Sequence, residues 1–174
     1  LVSFTLAPHA PYTVTDETLA RVSTLAEELD LPVHIHVHET VREVEESIER
    51  HGVRPLERLD RLGLLSERLI AVHAIHLTDQ EIAQLGRVGA SVVHCPVSNL
   101  KLANGLARVP AMLAAGVNVA LGTDGAASNN RLDMLDEARF AALLAKNVAG
   151  DAAMLPAAAA LQCATINGAR APGL

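Results

Sequence analysis

A chain of 174 residues, half of them hydrophobic, can bury a real core, yet it has no Trp, two Phe and one Tyr. That core must come from Leu, Val, Ile and Ala, which suits helices packed on buried parallel strands better than a β-sandwich. A formal net charge of −6 with scattered basic residues excludes a nucleic-acid or acidic membrane surface as partner, and no stretch approaches the roughly 20 apolar residues of a membrane span.

In chain order, the first strand is predicted at Val2–Ala7, ahead of Ala-Pro-His9-Ala-Pro-Tyr. A helix follows over Asp16–Asp30, entered through Thr15-Asp16-Glu17, with Leu19, Val22, Leu25, Ala26 and Leu29 on one face. The second strand is Val33–His38, then helices at Val41–His51 and Pro55–Leu62. A third strand, Leu69–His73, leads to a helix at Asp79–Val88, and a fourth, Ser91–His94, to a helix at Val109–Ala115. The fifth strand is Asn118–Gly122, and helices at Asp133–Lys146 and Leu155–Ile166 close the chain. Gly89 and Gly116 stand just ahead of strands, where helix-ending glycines belong. Cys95 and Cys163 lie too far apart in sequence to suggest a disulfide framework and fit a reducing, cytoplasmic compartment.

Alternating strands and helices predict a parallel α/β fold, either a doubly wound sheet or a (β/α)8 barrel. By number alone, five strand units slightly favour the doubly wound sheet. The polar residues reverse that preference. The strands run into His9, then His36 and Glu39, then His73, then His94, then Asp124. A barrel carries its chemistry at the carboxyl ends of successive strands, whereas a doubly wound sheet concentrates it at one switch point. Gly122-Thr123-Asp124-Gly125 also lacks the glycine spacing and Lys of a phosphate loop. Taken singly, Asp124 is an ordinary helix cap and Glu39 an ordinary first-turn acid. It is the joint arrangement that points to a catalytic face.

His34, His36 and His38 alternate along a strand and are expected to share one face. Imidazole and carboxylate suit Zn²⁺ or Fe²⁺, and such an ion makes hydroxide available near neutral pH. Glu39, three residues after His36, can sit beside a metal without binding it, where a proton shuttle belongs.

These residues stand in runs that resemble the amidohydrolase superfamily, in its branch of methylthioadenosine/S-adenosylhomocysteine deaminases and related triazine hydrolases. The runs are Ala7-Pro8-His9-Ala10-Pro11-Tyr12, His34-Ile35-His36-Val37-His38-Glu39-Thr40, Ala71-Val72-His73-Ala74-Ile75-His76-Leu77, His94-Cys95-Pro96-Val97-Ser98-Asn99-Leu100-Lys101-Leu102-Ala103-Asn104-Gly105 and Gly122-Thr123-Asp124-Gly125-Ala126-Ala127-Ser128-Asn129-Asn130. Ala164-Thr165-Ile166-Asn167-Gly168-Ala169-Arg170 fits a closing helix.

The resemblance implies a (β/α)8 barrel of which residues 1–174 supply strands 4 to 8, strands 1–3 and a flanking small β-domain lying outside this chain. It implies His36 and Asp124 as metal ligands and Glu39 as the shuttle that contacts substrate. It places His73 over substrate and hydroxide, His9 against substrate, Asp124 as an acceptor of the water's proton, and His94 in support. One divalent metal, Zn²⁺ ahead of Fe²⁺, a purine-like small-molecule substrate and a homo-oligomer complete the expectation. The family's strand-1 His-x-His pair is not in this chain. His38, where relatives carry a small or apolar residue, is expected to alter the pocket. The implied reaction is hydrolytic deamination of an adenosine derivative, with triazine dechlorination, guanine-type deamination and a non-catalytic scaffold as alternatives. Glu39 favours an amine leaving group, which needs a proton, over chloride, which does not.

Overall fold

The computed structural model describes residues 4–174. Four strands, β1 (Val33–Val37), β2 (Leu69–His73), β3 (Ser91–His94) and β4 (Asn118–Leu121), form one sheet in the order β1-β2-β3-β4, and every pair is parallel. Leu6 adds a parallel bridge to Val33 on the outer side of β1. The first predicted strand is thus reduced to that bridge, and its residues Val2 and Ser3 lie outside the described residues. Each strand is laid beside the one before it with no reversal of order. A doubly wound sheet reverses at its switch point; this order is that of one arc of a (β/α)8 barrel.

Ten helices accompany the strands among the described residues: α1 (Asp16–Leu29), α2 (Val41–His51), α3 (Pro55–Arg61), α4 (Asp79–Val88), α5 (Pro96–Lys101), α6 (Val109–Ala114), α7 (Ala126–Asn129), α8 (Met134–Ala149), α9 (Ala157–Ala164) and α10 (Ile166–Arg170). Their starts follow from side-chain chemistry. Thr15, Thr40 and Thr78 each accept the N–H of the residue three further on, and Glu81 returns the bond to the Thr78 amide, closing a capping box. Asp133 is a cap rather than a first helical residue, because its carboxylate accepts the Leu135 and Asp136 amides. The predicted helix Leu155–Ile166 is two helices, broken where Thr165 adopts φ −133° and ψ −87°.

The core lies between the sheet and the helices. Val33, Ile35 and Val37 of β1, Leu69 and Ala71 of β2, Val92 of β3 and Val119 and Leu121 of β4 are buried with Leu19, Leu56, Leu59, Ile82, Leu85 and Met112. Period-2 alternation therefore sends one side of each strand into the helix layer and leaves the other for the barrel interior.

Gly86 lets α4 approach α6. A Cβ there would collide with the Ala115 carbonyl oxygen. Alanine in a helix interior normally gains about 1 kcal/mol over glycine. At this site the sign inverts: Gly86→Ala is expected to lower unfolding free energy by about 1–3 kcal/mol, the range for overpacking, read by urea denaturation.

Candidate functional site

The carboxyl ends of the strands leave extended backbone abruptly. His38, His73 and Asp124 have φ of 57°, 69° and 61°, in the left-handed region that non-glycine residues avoid. Such strain gathers where side chains must be aimed.

The turn at His73 sets its ring beside two carboxylates, with Nε2 3.8 Å from Glu39 Oε1 and 4.0 Å from Asp124 Oδ2. Its ring stacks on His36 with centroids 5.4 Å apart. One ligand atom from each of His36, His73 and Asp124 falls within 4.8 Å of the others. Glu39, His36, His73 and Asp124 are thus brought close to one another.

Local hydrogen bonds prepare these groups. The His36 Nδ1 lies 2.6 Å from the His9 carbonyl oxygen, so it carries the proton and donates. Nε2 is left with its lone pair, the tautomer a metal ligand needs. Asp124 Oδ2 accepts from the Ser98 hydroxyl at 2.6 Å and the Ser128 hydroxyl at 2.8 Å. Burial raises the Asp124 carboxyl, but these two hydroxyls, the Gly125 amide and His73 outweigh it and hold the group below the usual range. One of its oxygens lies within 4.8 Å of ligand atoms of His36 and His73. The donor set, one neutral imidazole and one carboxylate with a further imidazole nearby, suits a divalent metal.

A cavity of about 360 Å³ opens beside these residues, lined by His9, His34, His36, Val72, Cys95 and Asp124 among others. His9 is 5.1 Å from His36 between ring centroids, and its Nδ1 pairs with the Thr13 hydroxyl at 2.9 Å. The loop behind it is tied down by Arg58, a buried guanidinium that donates to the Pro11 and Val14 carbonyls and pairs with Asp16. Another cavity, of about 380 Å³, lies between this loop and α2 and α3 and includes none of the predicted site residues.

His38 departs from expectation. His34 and His36 line the cavity, but His38 is fully buried away from it, its Nε2 3.1 Å from the Leu56 amide and 3.2 Å from Glu81 Oε1. The positive φ ends the strand's alternation one residue early, so the third histidine does not share the face of the other two. It does not shape the pocket directly. Instead it joins Arg54 and Glu81 in a polar knot, in which Arg54 also donates to the His76 carbonyl.

Sequence reasoning did not assign several residues that hold the site. Glu43 accepts the His38 and Glu39 amides at 2.9 and 2.8 Å, fixing the loop that carries Glu39. Asn99 Oδ1 lies 2.8 Å from His73 Nδ1, and Asn104 Nδ2 donates to Glu39 Oε1 at 2.9 Å. Glu137, fully buried, receives Asn129 and the Val97 amide beneath the Asp124 turn.

His94 is buried beside His73 with an unpartnered Nδ1. Burial, then repulsion from His73, lowers it to about 4, against about 6.5 in an unfolded chain. Between those values the unfolded state binds a proton that the folded state refuses, so stability rises with pH across this window. The stability is present above about pH 6.5 and is lost as pH falls toward 4, on the order of 3 kcal/mol in all. Urea denaturation at pH 7 and pH 5 is expected to show a smaller loss in His94→Asn than in the parent.

Comparison with known proteins follows the same lines. The family described as "Amidohydrolase family" matches residues 1–174. A 5-methylthioadenosine/S-adenosylhomocysteine deaminase of Moorella thermoacetica is 55% identical over 97% of this chain and 40% of its own length. The enzyme of that name from Teredinibacter turnerae is 53% identical over 100% of this chain and 39% of its own. Among solved structures, an adenosine deaminase from Xanthomonas campestris with bound zinc superposes with a TM-score of 0.95 at 58% identity, over 97% of this chain and 38% of that one. Atrazine chlorohydrolase from Arthrobacter aurescens, complexed with zinc, gives 0.91 at 28% identity, over 97% and 37%. The chain thus spans about 40% of the curated relatives it matches. No helix among the described residues is long and apolar enough to cross a membrane.

Proposed function

The chain belongs to the amidohydrolase family, and on that premise we propose that it supplies strands 4 to 8 of a catalytic barrel that hydrolytically deaminates an adenosine derivative of the methylthioadenosine or S-adenosylhomocysteine type. Residues 1–174 are then the C-terminal part of one barrel domain. The observation that carries the reading is the meeting of Glu39, His73 and Asp124 within 3.8 and 4.0 Å contacts at three strand ends.

His36 through Nε2 and Asp124 through its carboxylate would hold one divalent metal, and the zinc in the similar solved structures supports zinc over iron. A bound divalent ion lowers the pKa of its water toward about 7 and so supplies hydroxide. The remaining work belongs to side chains. Glu39 takes a proton from the attacking water and delivers it to the ring nitrogen beside the carbon that bears the amine. The water's second proton, taken up by Asp124 and relayed through the emptied Glu39 carboxylate, goes to the amine, which departs as ammonia. His73, held at Nδ1 by Asn99, presents Nε2 to the attacking oxygen, and His9 at the cavity wall contacts the substrate. The buried free thiols support a cytoplasmic setting.

Ammonia release by the full-length, zinc-loaded protein tests the reading, with methylthioadenosine, S-adenosylhomocysteine, adenosine, guanine and a chlorotriazine offered in turn. Release from an adenosine derivative is the expected result. Chloride release alone would move the enzyme to triazine chemistry, and silence on all five with zinc bound would leave a scaffold role.

A further inference from the structure

The segment after β3 reaches three catalytic groups that come from other strands: Asp124 through Ser98, His73 through Asn99 and Glu39 through Asn104. Asn99, at 1% exposure, meets His73 from within α5. Its carbonyl accepts the Asn104 amide at 2.9 Å, closing the turn that follows the helix. The Asn104 carbonyl accepts from His76 Nε2 at 2.8 Å, which moors the turn to the loop leaving β2. Gly105 makes that mooring close: at φ 118°, a Cβ there would stand 3.2 Å from Ile75 Cγ2 and 3.3 Å from His76 Cε1. From this anchored backbone the Asn104 side chain donates to Glu39 Oε1 at 2.9 Å, across 65 residues of sequence.

We infer that Asn104 is a positioning residue for proton transfer, holding Glu39 through Oε1 so that the carboxyl group keeps one orientation beside His73. The reason is in the inventory of the two groups. A carboxamide NH₂ can only donate, so the oxygen facing it must accept whether Glu39 is ionised or not. When Glu39 carries a proton it keeps acceptor capacity, so this bond persists in both protonation states. The same bond stops the carboxyl group from rotating, so it keeps one direction through both transfers. The inference rests on the role proposed above for Glu39 and adds what fixes its orientation.

Asn104→Ala and Asn104→Asp in the full-length, zinc-loaded protein test it. Asp keeps the shape but loses the N–H donor. Both variants are expected to lower kcat by about 10–100-fold, part of the 10²–10⁴ that acid–base catalysis supplies, with KM changed less than about threefold and zinc per chain unchanged. In a Glu39→Gln background Asn104→Ala should cost nothing further, because the two residues act as one unit. A kcat within twofold of the parent, an undiminished effect in the Glu39→Gln background, or loss of zinc would each overturn the inference. Crystal structures of the parent and Asn104→Ala proteins test the contact with no substrate at all. The Glu39 carboxyl group should turn away from its parental orientation, and an unchanged orientation would overturn the inference even if the parent deaminates nothing. Silence of the parent on every substrate would sink the proposed reaction but leave this structural arm to decide.

Discussion

Glu39→Gln is expected to cut ammonia release by about 10²–10⁴-fold at unchanged zinc content. Glutamine has the size of glutamate and an oxygen that can still accept from Asn104, so the loop held by Glu43 has no reason to move. What it loses is the ability to carry a proton. Both proton deliveries, to the ring and to the amine, fail together, and the defect belongs in kcat rather than KM. The leaving group sharpens the test. A 6-chloropurine nucleoside loses chloride, which needs no proton, so its hydrolysis should fall less than deamination does. Steady-state kinetics on the two substrates with metal analysis of both proteins reads this out. A deamination rate within tenfold of the parent would place the shuttle on another residue.

Glu39, His73 and Asp124 were legible because each follows a short apolar run, and a polar residue at the end of a buried strand is conspicuous in one dimension. The strands themselves were legible for the same reason, since Val33–Val37 and Leu69–His73 bury their apolar side against the helices. The orientation of His38 was not. Counting by twos carries the strand face past Val37, and nothing in the residue names announces a φ of 57°. The short helices Pro96–Lys101 and Ala126–Asn129 also escaped, since four or six residues hold too little of a 3.6-residue period to show one.

The polar residues that support the site escaped for a different reason. Asn99 reaches His73 across 26 residues and Asn104 reaches Glu39 across 65, so their roles exist only after the strands are laid side by side. Ser98 and Ser128 meet on one oxygen of Asp124 from separate elements. Their presence in the quoted runs was visible, but a Ser or Asn after a strand is also the ordinary chemistry of a helix start. Only the fold distinguishes the two uses.

The other large effect is expected at Asp124. Removing its carboxylate in Asp124→Ala deletes the proposed metal ligand and strands the Ser98 and Ser128 hydroxyls that were aimed at it. Zinc affinity should fall by more than the roughly 10–100-fold that loss of an outer partner costs, and ammonia release should fall with it. Alanine also carries a conformational cost that aspartate avoids, because φ is 61° here and Asp and Asn tolerate that region best. Asp124→Asn separates the two contributions, keeping shape and backbone preference while removing the charge. Competition against a chromophoric chelator should rank zinc affinity parent, then Ser98→Ala and Ser128→Ala, then Asp124→Asn, then Asp124→Ala. If Asp124→Asn instead binds zinc as tightly as the parent while Asp124→Ala does not, the residue serves the turn and not the metal. The ligand would then have to be sought at His73, whose ring atoms stand within the same 4.8 Å cluster.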